Sequence, residues 1–293
     1  MLHPRRGWAR TCVRGCTPVD EFYRGVWVIA YREILRYLQD RSRVLSSIAM
    51  PLLFLVIFGA GFNNVMGSLT PGVDFIKFMY PGIVAMGVLT NSLFSGLSIV
   101  WDREFGFLRE VMVAPLDRRG IVLGKALGGT ALALAQALLM LVLAPLVGVS
   151  LNVLLVLKLI PVLILLALCL SGLGILIAAR MKSQQGFQMV MQIFILPMMF
   201  TSGVFFPLSS VPLWLEVVSK INPVSYGVDA IRQLFLGGQI GPAVAQAAEG
   251  ARVVSLRLSL FGHVMGIGED LMLVGALSVV FVGAAMWAFG QQE

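Results

Sequence analysis

Charge is scarce in this chain of 293 residues: 13% are Asp, Glu, Lys or Arg, against 58% hydrophobic. Soluble domains carry about 25% charged residues. A chain so poor in polar groups cannot cover its apolar surface in water, and a mean hydropathy of +0.89 assigns it to the membrane. Histidine is limited to His3 and His263, at opposite ends, which excludes a His-based metal cluster. Three cysteines exclude a disulfide framework. Cys12 and Cys16 have no downstream pair with which to hold a metal, and Cys169, inside an apolar run, reads as a small packing residue. The segment Gly120-Ile121-Val122-Leu123-Gly124-Lys125-Ala126 fails as a phosphate loop, which needs four residues between its glycines and Ser or Thr after the lysine. The spans defined below hold one ionisable residue, Lys158, close enough to an end to snorkel. A carrier driven by protons or sodium, and a membrane enzyme with paired carboxylates, both lack their groups. The reading is a chain without a catalytic centre, energised from outside itself.

What is abundant is apolar length. A span needs roughly 20 apolar residues, because a helix rises about 1.5 Å per residue across a core of about 30 Å. Runs of this kind cover 44–62, 78–101, 126–147, 153–179, 187–206 and 271–289. The third and fourth share one apolar stretch, interrupted by the turn residues Gly148-Val149-Ser150-Leu151-Asn152. The predicted fold is therefore all-α, an integral membrane domain over 44–289 with six spans. Most of the 22 basic residues fall on one side: the Arg-rich first 43 residues, then Arg103, Arg109, Arg118, Arg119 and Lys125, then Arg180 and Lys182. Lys77, Lys158, Lys220, Arg232, Arg252 and Arg257 fall on the other. Positive charge collects in cytoplasmic loops, so both termini are expected in the cytoplasm. The net charge of +7 is thus a sign of topology, and nucleic acid is not an expected partner. The first apolar run starts too far into the chain for a cleaved signal peptide, and residues 1–19 read as a flexible cytoplasmic extension.

Three segments lie outside the spans. In 20–43, helical spacing puts Tyr23, Trp27, Tyr31, Ile34 and Leu38 on one face and Arg24, Arg32, Arg36, Gln39 and Arg43 on another. A basic amphipathic helix with aromatic residues lies in the membrane interface; the alternative is a solvated helix docked on a partner. The loop 102–119 mixes both charge signs with apolar residues, and a short helix over 105–113 ends near Pro115, which disfavours helical geometry at Ala114. The long segment 207–270 holds a helix starting at Ser210 to Pro212 and stopping at Asn222-Pro223, then a second over 225–236 ending at Gly237-Gly238. Both are too short to span and are expected at the outer surface.

Two stretches carry a resemblance. One runs Asp102-Arg103-Glu104-Phe105-Gly106 through Val113-Ala114-Pro115-Leu116 to Gly124-Lys125. The other runs Ser202-Gly203-Val204-Phe205-Phe206-Pro207-Leu208 through Trp214-Leu215 and Ile221-Asn222-Pro223 to Tyr226-Gly227-Val228-Asp229-Ala230-Ile231-Arg232. With the order of elements, they make the chain, from about Tyr23 to Phe289, similar to the permease subunits of type-2 ABC exporters, which include daunorubicin-resistance-like drug and lipid exporters and polysaccharide exporters. Phe107 and Arg109 stand where that family commonly has Thr and Glu.

The resemblance implies a non-catalytic transport subunit in a bacterial or archaeal cell membrane. It would be paired with a second permease copy and driven by a separate ATPase subunit that holds ATP and Mg. Arg103, Glu104, Phe105, Gly106, Leu108, Glu110 and Pro115 would couple to that ATPase, with Trp27, Tyr31, Arg32 and Arg36 on a lever helix. Phe206, Pro207, Trp214, Asn222, Pro223 and Tyr226 would form an outer gate. The second and fifth spans would line the substrate path, offering Asn91, Ser95, Gln192 and Thr201, although small polar residues also pack helices together in lipid. Pro81 and Pro197 would permit bending. The substrate would be amphiphilic, a drug, lipid or lipid-linked glycan, and flexible Met189, Met191, Met198 and Met199, which suit varied apolar ligands, favour a drug or lipid. The alternative is a channel or secondary carrier that needs no ATPase.

Overall fold

The computed structural model describes residues 18–69, 75–105, 118–149, 152–205, 212–239, 259–260 and 263–291. Among them are ten α-helices: α1 (Pro18–Gln39), α2 (Arg41–Leu69), α3 (Phe75–Phe94), α4 (Leu97–Glu104), α5 (Arg118–Leu143), α6 (Val153–Arg180), α7 (Gln184–Thr201), α8 (Leu213–Ile221), α9 (Pro223–Gln239) and α10 (Ile267–Gly290). A two-residue antiparallel ladder, Ser259–Leu260 with His263–Val264, precedes α10. Residues 1–17 of the expected extension 1–19, most of the loop after α4 (106–117) and 240–258 lie outside the described residues, while 18 and 19 belong to α1.

Among the described residues, four helices are long and apolar enough to cross a membrane: Met79–Glu104, counting α3 and α4 together, Arg119–Leu143, Val153–Arg180 and Ile267–Gly290. These correspond to the second, third, fourth and sixth expected spans. The helices Phe22–Gln39 and Val44–Gly59 meet at 71° and are long and apolar enough only when taken together. The break falls at Asp40, earlier than the expected 43. In the region of the expected fifth span, α7 is 18 residues long and carries Gln184, Gln185, Gln188 and Gln192 in its first half, which keeps it out of that group.

Lipid is as apolar as leucine, so helices in a membrane associate through close backbone approach rather than through exclusion of water. This chain uses glycine for that purpose. The stripe Gly120, Gly124 and Gly128 on α5 receives α1: a Cβ at Gly124 would lie 2.9 Å from the Val26 carbonyl oxygen, and one at Gly128 would lie 3.0 Å from Glu33 Cβ. The face α1 turns inward is Gly25, Ile29, Glu33 and Tyr37, at intervals of four residues, while Tyr23, Trp27, Tyr31 and Leu38 stay exposed. The aromatic side read from spacing therefore faces outward, as an interfacial helix requires. At the centre, α6 is covered by α3, α5 and α10, with Leu163, Leu166, Leu170 and Ile175 fully buried.

Helix ends follow local chemistry. Gly148 adopts φ +76° after the 3-10 turn Ala144–Val147, and Asn152 caps α6 by accepting the Leu154 N–H at 3.3 Å. Ser183 caps α7 through the Gly186 N–H at 3.2 Å. The helix expected to stop at Asn222-Pro223 does so, α8 ending at Ile221 with Asn222 as its C-cap; Pro223 then opens α9, where its missing N–H costs nothing, and α9 runs on through Gly237-Gly238, the expected end. The second span is interrupted by a turn at Ser95-Gly96, between α3 and α4, while α3 continues through Pro81.

Candidate functional site

The last turn of α4, Trp101-Asp102-Arg103-Glu104, leads into the 106–117 segment, and each of its four side chains engages a different part of the fold. Arg36 of α1 lies over the Trp101 ring at 4.5 Å. Asp102 Oδ2 accepts from Arg32 at 3.1 Å and from Lys125 of α5 at 2.7 Å. Arg103 donates to the carbonyls of Ala179 (3.1 Å) and Met181 (2.6 Å) at the end of α6. Glu104 accepts the Gln184 N–H at 3.0 Å, at the start of α7. Phe105 remains 74% exposed, with its ring edge on Trp101. The other expected coupling residues, Gly106, Leu108, Glu110 and Pro115, lie outside the described residues.

Behind this stem lies a buried ionic group that spacing did not single out. Lys125, 2% exposed, places its ammonium 2.7 Å from Asp102, 3.3 Å from Glu33 and 2.9 Å from Ser98 Oγ. Its three donors thus meet three acceptors. The charges join α1, α4 and α5 on both sides of the 106–117 segment. A small polar cavity adjoins them, lined among others by Glu33, Arg36, Asn91, Ser95 and Lys125. Signals for this group were present. Glu33 is the acidic member of an inward face otherwise made of Gly25, Ile29 and Tyr37, and Asp102 and Lys125 sit at the ends of apolar runs, where they read as loop charges.

The four expected path residues do not converge. Asn91 donates to Gln136, whose own amide donates to the Ser47 carbonyl at 2.6 Å, so Asn91 ties α3 to α5 and α2. Ser95 lies beside Gly129, near Asn91 in the polar cavity. Gln192 is exposed on α7. Thr201, at the opposite end of α7, is buried and accepts from the Asn222 amide at 2.9 Å.

That opposite end is the second constellation. Asn222 also donates to the Met198 carbonyl at 2.7 Å and accepts the Val224 N–H at 3.0 Å, capping α9. Ser225 donates to the Thr201 carbonyl at 3.2 Å, Tyr226 to the Lys220 carbonyl at 2.6 Å, and Arg232 to the Gly203 carbonyl at 2.7 Å. Burial pulls the Arg232 guanidinium down to about 10, with Asp229 acting in the other sense. Gln233 bridges the carboxylates of Asp229 and Asp270, each at 3.2 Å. Trp214 is 67% exposed on α8, and Phe206 and Pro207 lie outside the described residues. Glu33, Asp102, Lys125, Asp229, Arg232 and Asp270 are buried charged residues, among those described, that sequence reasoning assigned to no site.

Asn222 provides a direct test of this end. Asn222→Ala removes an N-cap, worth about 1 kcal/mol, and strands the Met198 carbonyl, for a combined loss of about 2 kcal/mol. Asn222→Asp keeps the cap but not the donors and is expected to recover only part of the thermal stability measured in detergent.

The family described as "ABC-2 type transporter" matches residues 24–236. The chain is 30% identical over 220 residues to the putative transport permease ycf38 of Cyanophora paradoxa, covering 73% of this chain and 75% of that one. It is 31% identical over 218 residues to nodulation protein J of Rhizobium leguminosarum bv. trifolii, covering 72% and 81%. Against the probable multidrug ABC transporter permease YbhR of Escherichia coli K12 it is 29% identical over 176 residues, covering 57% of this chain and 45% of that protein.

Proposed function

The chain belongs to the ABC-2 type transporter family of multi-pass membrane permeases, and from that premise we propose that it is the membrane subunit of an ABC exporter for an amphiphilic substrate. The observation that carries this reading is the stem Trp101–Glu104, where one turn of helix is joined to α1, α5, α6 and α7. A displacement applied to the adjoining 106–117 segment reaches four helices at once.

In this reading α2, α3 with α4, α5, α6, α7 and α10 are six spans in a cell membrane, with both termini in the cytoplasm, as the distribution of basic residues supports. The exposed Trp27 and Tyr31 hold α1 in the inner interface. Arg32 and Arg36 join α1 to the stem as a lever. A separate ATPase subunit binds ATP and Mg and closes beneath two permease copies, which enclose the path between them. The ties around Asn222, Pro223 and Tyr226 form the outer gate, with Trp214 of α8 at the outer interface. Drugs, lipids and lipid-linked glycans fit as substrates, in keeping with the names multidrug permease and nodulation protein among the relatives.

The test is copurification of the chain with an ABC ATPase, followed by transport in liposomes. The complex is expected to move substrate only with hydrolysable ATP. If the permease alone sustains the same flux, the reading fails.

A further inference from the structure

Arg103 and Glu104 resemble contacts for a second protein, yet both side chains are engaged within the chain. They are adjacent, opposite in charge, and sit on the two sides of one turn. Arg103 meets the Ala179 and Met181 carbonyls where α6 ends, and Glu104 meets the Gln184 N–H where α7 begins. The C-terminus of a helix carries partial negative charge and exposed carbonyls, the N-terminus partial positive charge and exposed N–H groups. Each side chain therefore faces the pole opposite to its own sign. Ser183 takes the Gly186 N–H, so Glu104 supplies the acceptor for a donor that the cap residue leaves unmet.

The helix being held is lightly supported elsewhere. Along the flank of α7, Gln188, Met189, Gln192, Ile193 and Leu196 are exposed, and Phe187 packs inward against Phe94. Its far end is fixed by Asn222 and Ser225. A rod held at its ends and open along its flank moves when either end is moved.

We propose that Arg103 and Glu104 are a pair of positioning residues that clamp the α6–α7 turn to the stem, so that motion of the stem is delivered to the start of α7. The clamp rests on the permease reading only for what moves the stem. It differs from a docking role, in which the same side chains would bind the ATPase surface.

The experiment is hydrogen exchange on the full chain in lipid nanodiscs, with and without its ATPase. Glu104→Ala is expected to speed exchange at 184–187 about fivefold, the equivalent of a lost cap. Glu104→Gln, which keeps an oxygen acceptor, restores much of the protection. Arg103→Glu with Glu104→Arg puts both charges at the wrong poles and exceeds Glu104→Ala. In the complex, Glu104→Ala is expected to retain the ATPase subunit and its hydrolysis while transport per ATP falls roughly fivefold. Exchange that is unchanged in Glu104→Ala, or loss of the ATPase subunit with exchange unchanged, overturns the clamp. A wild-type chain that binds no ATPase defeats the permease reading instead, and the exchange arm without ATPase still decides the clamp.

Discussion

Replacing Lys125 by Met is expected to destabilise the folded chain by about 3 kcal/mol or more, the range for breaking a buried ion pair from one side. Methionine repeats the unbranched lysine stem as far as Cε and lacks only the ammonium, so packing changes little and the effect is mainly electrostatic. Without the ammonium, Glu33 and Asp102 face each other across a space from which Lys125, at 2% exposure, has excluded water. Arg32 offers Asp102 a contact at 3.1 Å, but its side chain is 36% exposed and lies 3.9 Å from Glu33, too weak a substitute. The measurement is the thermal midpoint and monodisperse yield in detergent. Lys125→Met with Glu33→Gln and Asp102→Asn removes the whole group and is expected to recover most of the loss, since deleting a complete buried pair is close to neutral. Lys125→Arg is not conservative, because a planar guanidinium cannot repeat the compact contact with Ser98 Oγ at 2.9 Å. Should Lys125→Met prove as stable as the triple variant, the carboxylates are not held together by this lysine.

The same residue shows where sequence reading loses its grip. Apolar runs located α6 and α10 closely, because a span is a property of composition, but α5 begins at Arg118 rather than at the expected 126, since Lys125 read as a loop charge. Turn residues marked the α5–α6 connection, where Gly148 takes a left-handed conformation and Asn152 caps. Faces were harder. In a water-soluble protein the apolar side of a helix is buried, whereas the aromatic side of α1 is exposed and its packed side is made of Gly25, Ile29, Glu33 and Tyr37. Periodicity finds both stripes without saying which one meets protein. Buried charge was harder still. Asp102 and Lys125 are separated by the whole 106–117 segment, so their contact depends on how that segment returns the chain. Asn91 and Thr201 were legible as polar residues in apolar helices, but their bonds to Gln136 and Asn222 tie helices together, a role that composition does not separate from lining a path. The glycines of α5 excluded a phosphate loop by spacing, and their use became clear only with α1 packed on them.

Gly174→Ala is the second substitution expected to act strongly, and its mechanism is geometric. A Cβ at Gly174 would lie 2.3 Å from the Leu93 carbonyl oxygen and 3.0 Å from Leu93 Cα. From the other side, a Cβ at Gly96 would lie 2.4 Å from the Gly174 carbonyl oxygen. These neighbours are backbone atoms, which have no rotamer to change, so α6 and the α3–α4 junction must separate to relieve the overlap. Overpacking of this kind costs typically 1–3 kcal/mol, and the upper end, about 3 kcal/mol, is expected here because the contact lies where Leu93, Ile175 and Ala178 are fully buried. Gly96 is also the break from which α4 departs toward Trp101–Glu104. A wedge at Gly174 therefore tilts the stem, and Gly174→Ala is expected to lower transport per ATP as well as the thermal midpoint. Gly96→Ala alone should behave alike, and the double variant should cost much less than the two singles added, because one separation of the helices accommodates both methyl groups. Additive losses would mean that the two glycines relieve different contacts. By contrast, Gly275→Ala on α10, where a Cβ meets nothing within 4 Å, is expected to leave the thermal midpoint unchanged or slightly raised.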